Sequence, residues 1–399
     1  MARILLGCTM GKARSQVIVC YRALLDFIYV AQYPTHDDST LQYLTDTLDE
    51  FHANKDILQD LGIRNNFNIP KFHSMLHYEE CIRNFRTTDN YNTEMFEQFH
   101  IDYAKEAWRA SNFCKKLPQM TQWPSCQEKI VMFQSYISHY QSEEEREEEV
   151  NEAADGRNQD VGVVTAKRPA APSQTLSNIQ NKHGCPSFSY HLRIFLNKFL
   201  TRGDSIHCTQ LGNAFLPFDQ LDVWYSFKFS LDTLGNDIDG QKGIDLVRAQ
   251  PGRGESPGRF DVVVVAHKDG AESTGLHGMK VGRLRLIFCL SEVIGLYNEA
   301  PAVWPKHHFA YVEWLTVSHS PGAHHNMYSV TKPLPLDTTG HLPGDIVPLS
   351  TIRQSCQLIP HLGAGVGWTE QWRSNSVLNA CPTFLLYNWS SKYVYQTLW

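Results

Sequence analysis

His73 and His77 stand four residues apart in PKFHSMLHYEE, the spacing at which one helix face offers two imidazoles to a zinc ion. His100, on the next expected helix, would bring a third nitrogen. The glutamate of an H-E-x-x-H protease motif is missing, so the alternatives are a bare metal site and a structural histidine pair. Glu94 and Glu97 are three apart in NTEMFEQFH, near one face of a helix, where acidic residues of a first turn also favour the helix dipole. Arg83, Arg86, Lys105, Arg109, Lys115 and Lys116 punctuate the same stretch. Such a row can follow a phosphate backbone with Trp108 or Tyr91 stacking on a base, or form a solvated face paired with Glu79, Glu80, Asp102 and Glu106.

The elements that must carry these residues are helices. Leu41, Leu44, Leu48 and Phe51 recur at helical spacing after Asp37-Asp38-Ser39, a start signal, and Leu58 and Leu61 extend the stripe to Gly62. Capping explains the Asp37-Asp38 pair most simply. Upstream, VIVCYRALLDFIYVA (17–31) is apolar on most faces and suits a central helix. Pro70 opens a helix that runs to about Phe85. A further helix, capped by Asn92 or Thr93, would turn Phe96, Phe99, Tyr103 and Trp108 to the core, and another spans about 127–140 after a Pro118 and Pro124 connection.

From 142 to 183 a glutamate run around Arg146 passes into a Gly, Ala, Pro, Ser and Gln stretch. It holds too little apolar surface to offset its ordering entropy, so a flexible acidic linker is expected there. Beyond it the period shifts to two. FDVVVVA (260–266), VGRLRLIF (281–288), FAYVEWLTV (309–317) and NMYSV (326–330) read as strands, with a late helix near 375–380 and a last strand at 384–387. The fold class is α+β: a helical bundle over 1–141, the linker, and a β-rich, barrel-like domain over 184–399.

Composition narrows the function. The net charge of −6 divides into −2 for 1–141, −5 for 142–179 and +1 for 180–399. Neither folded part has the basic footprint of an autonomous high-affinity DNA binder, so DNA contact must come from local patches. The ten cysteines form no C-x-x-C pair, which argues against a zinc ribbon or disulfide framework. No apolar run reaches a membrane span, and the expected location is the nucleus, with the cytoplasm as the alternative. PGRGESPGR (251–259) lacks the G-K-[ST] ending of a phosphate loop. Trp224, Trp304, Tyr311, Trp314 and Tyr328 are either core or a cation-binding cage.

The segment PKFHSMLHYEECIRNFRTTDNYNTEMFEQFHIDYAKEAWRASN (70–112) resembles the region before the linker in Plavaka-type transposases, fungal cut-and-paste elements similar in organisation to the CACTA and KDZ groups. ALLDFIYVAQYPTHDDSTL (23–41) and the stretch from VGRLRLIF to SCQLIP (281–360) look like the same family. The resemblance implies a DDE-type enzyme with an RNase H-like core, whose three carboxylates hold Mg²⁺ or Mn²⁺ for two-metal phosphodiester chemistry. Glu97, with Glu94 as rival, matches the last acid. The two aspartates that such an enzyme places on upstream strands have no counterpart before residue 70. The expectation is therefore the C-terminal part of a transposase, inactive alone, binding no metal tightly, and associated with transposon-end DNA. The β-rich part loosely looks like a BAH or SH3-like barrel and would meet chromatin or a protein partner. The alternative is a non-enzymatic interaction protein acting through that domain.

Overall fold

The computed structural model describes residues 2–91, 93–152, 163–199, 216–230, 244–254, 258–267, 275–290, 293–294, 298–299, 301, 304–333, 341–362, 372 and 376–398. It is mixed helix and antiparallel sheet, and it divides into two compact units: Met1–Leu76 with Gln159–Trp399, and His77–Asn158. One break between the units, at 158/159, falls inside the stretch expected as linker, 142–183, and the other, at 76/77, lies outside it.

The first unit begins with helices α1 (Ala2–Thr9), α2 (Ser15–Val30), α3 (Asp38–Asn54), α4 (Ile57–Asp60) and α5 (Pro70–Met75). α2 is the central helix its composition demands, with Val17, Ile18, Ala23, Leu25, Phe27 and Val30 buried. α3 starts at a full capping box. The Asp37 carboxylate accepts the Thr40 backbone N–H at 2.7 Å, while the Asp37 N–H donates to the Thr40 hydroxyl at 2.9 Å. That backbone N–H and the Ser39 hydroxyl hold the exposed Asp37 carboxyl down at about 2. The helix expected to reach Gly62 breaks at Lys55–Asp56, and Gly62 closes α4 at φ +68°, where a side chain would be strained.

After residue 158 the chain returns with strands β1 (Val163–Thr165) and β2 (Ala171–Thr175) and helices α10 (Leu176–His183) and α11 (Phe188–Asn197), the intervening α6 to α9 belonging to the other unit. The segment expected as linker is thus ordered from 163 onward. α10 is capped by Thr175, whose hydroxyl accepts the Asn178 N–H, and it ends at the left-handed Gly184. Strands β3 (Gln220–Trp224), β4 (Ser226–Ser230), β5 (Ile244–Gln250), β6 (Arg259–Phe260), β7 (Val262–Ala266) and β8 (Met279–Cys289) follow. The chain continues through β9 (Val293–Ile294), β10 (Asn298–Glu299), β11 (Phe309–Trp314), β12 (Thr316–Pro321), β13 (Tyr328–Thr331), β14 (Gly344–Pro348) and β15 (Ile352–Pro360). α12 (Val377–Ala380), β16 (Thr383–Tyr387) and α13 (Lys392–Leu398) end it.

The main sheet runs β12-β13-β16-β15-β7-β8-β11-β14, with β3 also on β8 and β2 on β3, every pairing antiparallel. Among the described residues this ladder is open, so they do not form the expected closed barrel. Both faces are covered, as an uninterrupted Val262–Val265 run requires. Val263 and Val265 pack with Phe227, Val247 and Leu284, whereas Val262 and Val264 pack with Phe384, Leu386 and Leu398. Phe188, Leu192 and Phe195 of α11 lie on Phe288, Phe309 and Tyr311. The N-terminal helices join the same unit at a close approach: a Cβ at Gly7 would strike Ile359, and one at Gly11, at φ +72°, would strike the Leu362 backbone.

The regular elements among the described residues of the second unit are helices: α6 (Tyr78–Phe85), a 3₁₀ turn over Thr88–Asn90, α7 (Glu94–Phe99), a π-helical turn over His100–Lys105, α8 (Glu106–Ala110) and α9 (Lys116–Glu152). The glutamate run continues α9 instead of starting a linker, because glutamate is a good helix former. Pro118 and Pro124 lie within α9 instead of separating it from its neighbour.

Candidate nucleic-acid interface

A π-helical turn over His100–Lys105 interrupts the second unit, and its i to i+5 bonding means that regular helical spacing does not carry across it. Phe99, Tyr103 and Trp108, expected to be core, are exposed. The side chain of Phe96 lies outside the described residues. Trp108 is 41 % exposed and forms the wall of an open groove of about 350 Å³ with His100, Ala104, Lys105, Arg109 and Met120. The Lys116 ammonium stands over the indole at 3.8 Å from the ring centroid, and Phe113 meets it edge-on. Arg109 pairs with Glu106 one turn earlier. Lys105 and Arg109 thus line the groove with Trp108, and Lys116 stands over its indole.

The other sequence-derived candidates are not among the residues that line this groove. Arg83 is held by Glu79 at 3.0 Å on α6, the solvated pairing weighed as its alternative role. Arg86 and Lys115 occupy backbone positions with φ of 73° and 47°, at the end of α6 and just before α9. Glu97 is exposed, and its carboxylate accepts the Thr93 hydroxyl at 3.4 Å, a local bond across the first turn of α7. The side chain of Glu94 is outside the described residues. His73 and His77 do not share a helix. His73 lies in α5, which ends at Met75, and His77 stands just before α6, which begins at Tyr78. Among the described residues no group of three or more His, Cys, Asp or Glu side chains is placed to hold a metal ion.

Two polar constellations in the first unit escaped the sequence reading. The first surrounds Asp26, fully buried in α2. Its Oδ1 accepts the Trp389 indole N–H at 3.1 Å and the Tyr395 hydroxyl at 2.9 Å; its Oδ2 accepts the Tyr43 hydroxyl at 3.1 Å and faces Arg22 at 3.3 Å. Arg22 turns its other nitrogen to Glu50 at 2.5 Å, and Tyr29 donates to the Trp389 carbonyl at 2.7 Å. Burial pushes the Asp26 carboxyl up to about 6 against the opposing pull of Arg22 and the three neutral donors. The signal was the lone aspartate in ALLDFIYVA, an acid in an otherwise apolar helix.

The second constellation lies where β8 and β11 pair, Arg283 standing across from Glu313. Arg285 Nε donates to Glu313 Oε2 at 2.7 Å, with both side chains largely buried. Arg283 and Arg285 both lie over the Phe260 ring, at 5.7 and 5.4 Å. Burial and the neighbouring Arg285 lower Arg283 to about 10, and burial lowers His183, whose Nδ1 donates to the Arg285 carbonyl, to about 4. The aromatics weighed as a cage are distributed among separate clusters instead: Tyr311 and Trp304 in one, Trp224 and Trp314 in another, Tyr328 in a third. His325 accepts the Met327 N–H through Nδ1, and burial together with His361 and His324 lowers it to about 4.

Residues 161–332 match the family model of a domain of unknown function, DUF6830. The matched stretch runs from β1 to β13 and contains the whole Arg283, Arg285 and Glu313 constellation. No curated protein and no solved structure matches the chain. Among the described residues no helix is long and apolar enough to cross a membrane, and the nine described cysteines are free thiols.

Proposed function

We propose that this is a transposon-derived, DNA-associated protein in which the His77–Asn158 unit touches nucleic acid through the groove around Trp108. The supporting observation is a groove lined by Lys105 and Arg109 beside a half-exposed Trp108 with Lys116 over its indole, cations for phosphate next to an aromatic ring for a base. In this reading the helical unit is the counterpart of the helical part of an RNase H-like transposase core, Glu97 is its candidate carboxylate, and the sheet unit is an accessory domain. Arg83, Arg86 and Lys115 would extend the phosphate track, and the setting would be nuclear. One candidate carboxylate cannot organise two Mg²⁺ or Mn²⁺ ions, so DNA association without cleavage is the expected activity.

The test is fluorescence anisotropy of the full chain on duplex and single-stranded DNA across a salt series. Changing Lys105, Arg109 and Lys116 to alanine together should reduce the slope of log K against log salt by about 3, near one per cation. Trp108→Ala should weaken single-stranded binding by roughly 1 to 3 kcal/mol. Binding that is unaffected by all four changes would refute the assignment. A second reading, a non-enzymatic interaction protein acting through the β-rich domain, is favoured by the family match falling on the sheet unit and not on the helical one. It predicts that those four changes leave the protein's association with its partner intact.

A further inference from the structure

α9 is 37 residues long, about 55 Å at 1.5 Å per residue, and its middle is clothed in exposed apolar side chains. Ile130 is 49 % exposed, Phe133 64 % and Ile137 37 %, and the Cys126 side chain is exposed as well. Cys126, Ile130, Phe133 and Ile137 fall at alternating four- and three-residue steps, and positions 123 and 140, a tryptophan and a tyrosine, continue the series at either end. That is the a/d repeat of a coiled-coil seam. A monomer seldom leaves such a stripe in water.

Charge decides what covers it. The helix is preceded and opened by Lys115 and Lys116, and it closes on the glutamate run of 143–149, broken only by Arg146. Two copies laid side by side in parallel would set the two glutamate runs against each other. Laid antiparallel, they bring the lysine end of each alongside the glutamate run of the other. The register that pairs a with d positions sets 130 against 133, 126 against 137 and 123 against 140, and the same register brings 116 opposite 147 and 115 opposite 148. Apolar and charged matching agree on one alignment. Pro124, which lacks the N–H for a bond to the Met120 carbonyl, lies toward one end of the seam and leaves 126–140 free of proline.

We infer that the chain self-associates through α9 as an antiparallel two-helix coiled coil with a second copy of itself, centred between Ile130 and Phe133. The inference does not depend on DNA binding, because its variants leave Lys105, Trp108 and Arg109 in place.

The experiment is sedimentation velocity of the full chain from 1 to 100 µM, with Phe133→Glu and Ile130→Glu beside the wild type and circular dichroism as a check on helix content. The wild type should be a dimer. Each glutamate is introduced twice per dimer, and each variant should weaken the dissociation constant by at least roughly 100-fold at unchanged helicity. Orientation is read from disulfide trapping. Mild oxidation of I137C should link the introduced thiol to Cys126 of the second copy, identified by mass spectrometry of the joined peptides and lost in C126S/I137C. A monomeric wild type would overturn the proposal, as would a dimer indifferent to both glutamates. A Cys126 to Cys126 link in the wild type would overturn the antiparallel register.

Discussion

Asp26 offers a sharp test of the first unit, because its two carboxylate oxygens engage four groups from three parts of the chain. Replacing it by alanine leaves Tyr43, Trp389 and Tyr395 without their acceptor and takes one of two carboxylates from a buried Arg22. Breaking a buried pair of this kind costs about 3 to 5 kcal/mol, so Asp26→Ala should lower unfolding free energy by that amount at pH 7.5. Asp26→Asn keeps the shape and an acceptor while removing the charge, and here the pH dependence carries the argument. The folded carboxyl titrates at about 6 against an ordinary value of 3.8, a rise of about two pH units. A raised folded pKa means stability that is present below about pH 4 and lost as pH climbs through 6, worth roughly 3 kcal/mol at 1.36 kcal/mol per unit. His183 and His325, whose folded values are lowered, lose stability in the opposite direction as pH falls. The Asp26 contribution is therefore the difference between wild type and Asp26→Asn, measured by urea unfolding of the full chain at half-unit steps from pH 4 to 7.5. The variant should gain on the wild type by roughly 3 kcal/mol as pH rises across that interval. A difference that stays flat or falls, or an Asp26→Ala protein within about 1 kcal/mol of wild type, refutes the reasoning.

The remaining expectations are simpler. Glu313→Ala leaves Arg285 buried without its carboxylate and should cost about 3 to 5 kcal/mol in urea unfolding, whereas replacing both partners by apolar residues of similar volume should cost much less. Gly11→Ala puts a Cβ at positive φ against the Leu362 backbone and should destabilise by more than about 1 kcal/mol, seen as a fall in Tm. Thr175→Ala removes the α10 cap and should cost about 1 kcal/mol by the same measurement. Incubation of supercoiled DNA with the full chain and Mg²⁺ or Mn²⁺ should give no cleavage above that of a Glu97→Ala control; cleavage abolished by that substitution would show that further carboxylates join Glu97.

Features governed by local physics were legible in the sequence. Asp37 as a cap, α2 as a buried helix and the Val262–Val265 run as a strand all follow from short-range pattern, and the structure places them so. The late helix and last strand were found within two residues. Pattern reading failed where periodicity outlasts the element that carries it. The apolar stripes through 38–61 and 70–85 continue across breaks at 55–56 and 76–77, so helices that are separate read as one. It failed again at 142–152, where lack of apolar content argued for a linker and helix propensity prevailed. The site was less legible than the fold. The row of cations was visible, but which of them stand near Trp108 depends on a π-turn at 100–105 and on the packing of α9, and no spacing rule for α-helices anticipates either. Asp26 was conspicuous as an acid among apolar residues, yet its partners Trp389 and Tyr395 lie more than 360 positions away.

That separation bears on how the protein is made. The helices at 15–54 are synthesised long before Trp389 and Tyr395, and during the interval the buried carboxylate of α2 has only Arg22 and Tyr43 for company. The first unit cannot close until the chain near 389–395 has emerged, while the 77–158 unit is continuous in sequence. Contacts spanning most of the sequence are slow to form, and a half-made chain would hold its apolar N-terminal helices open to water or to a chaperone. A nascent chain halted anywhere before residue 389 should therefore be far more protease-sensitive over 15–54 than over 78–110.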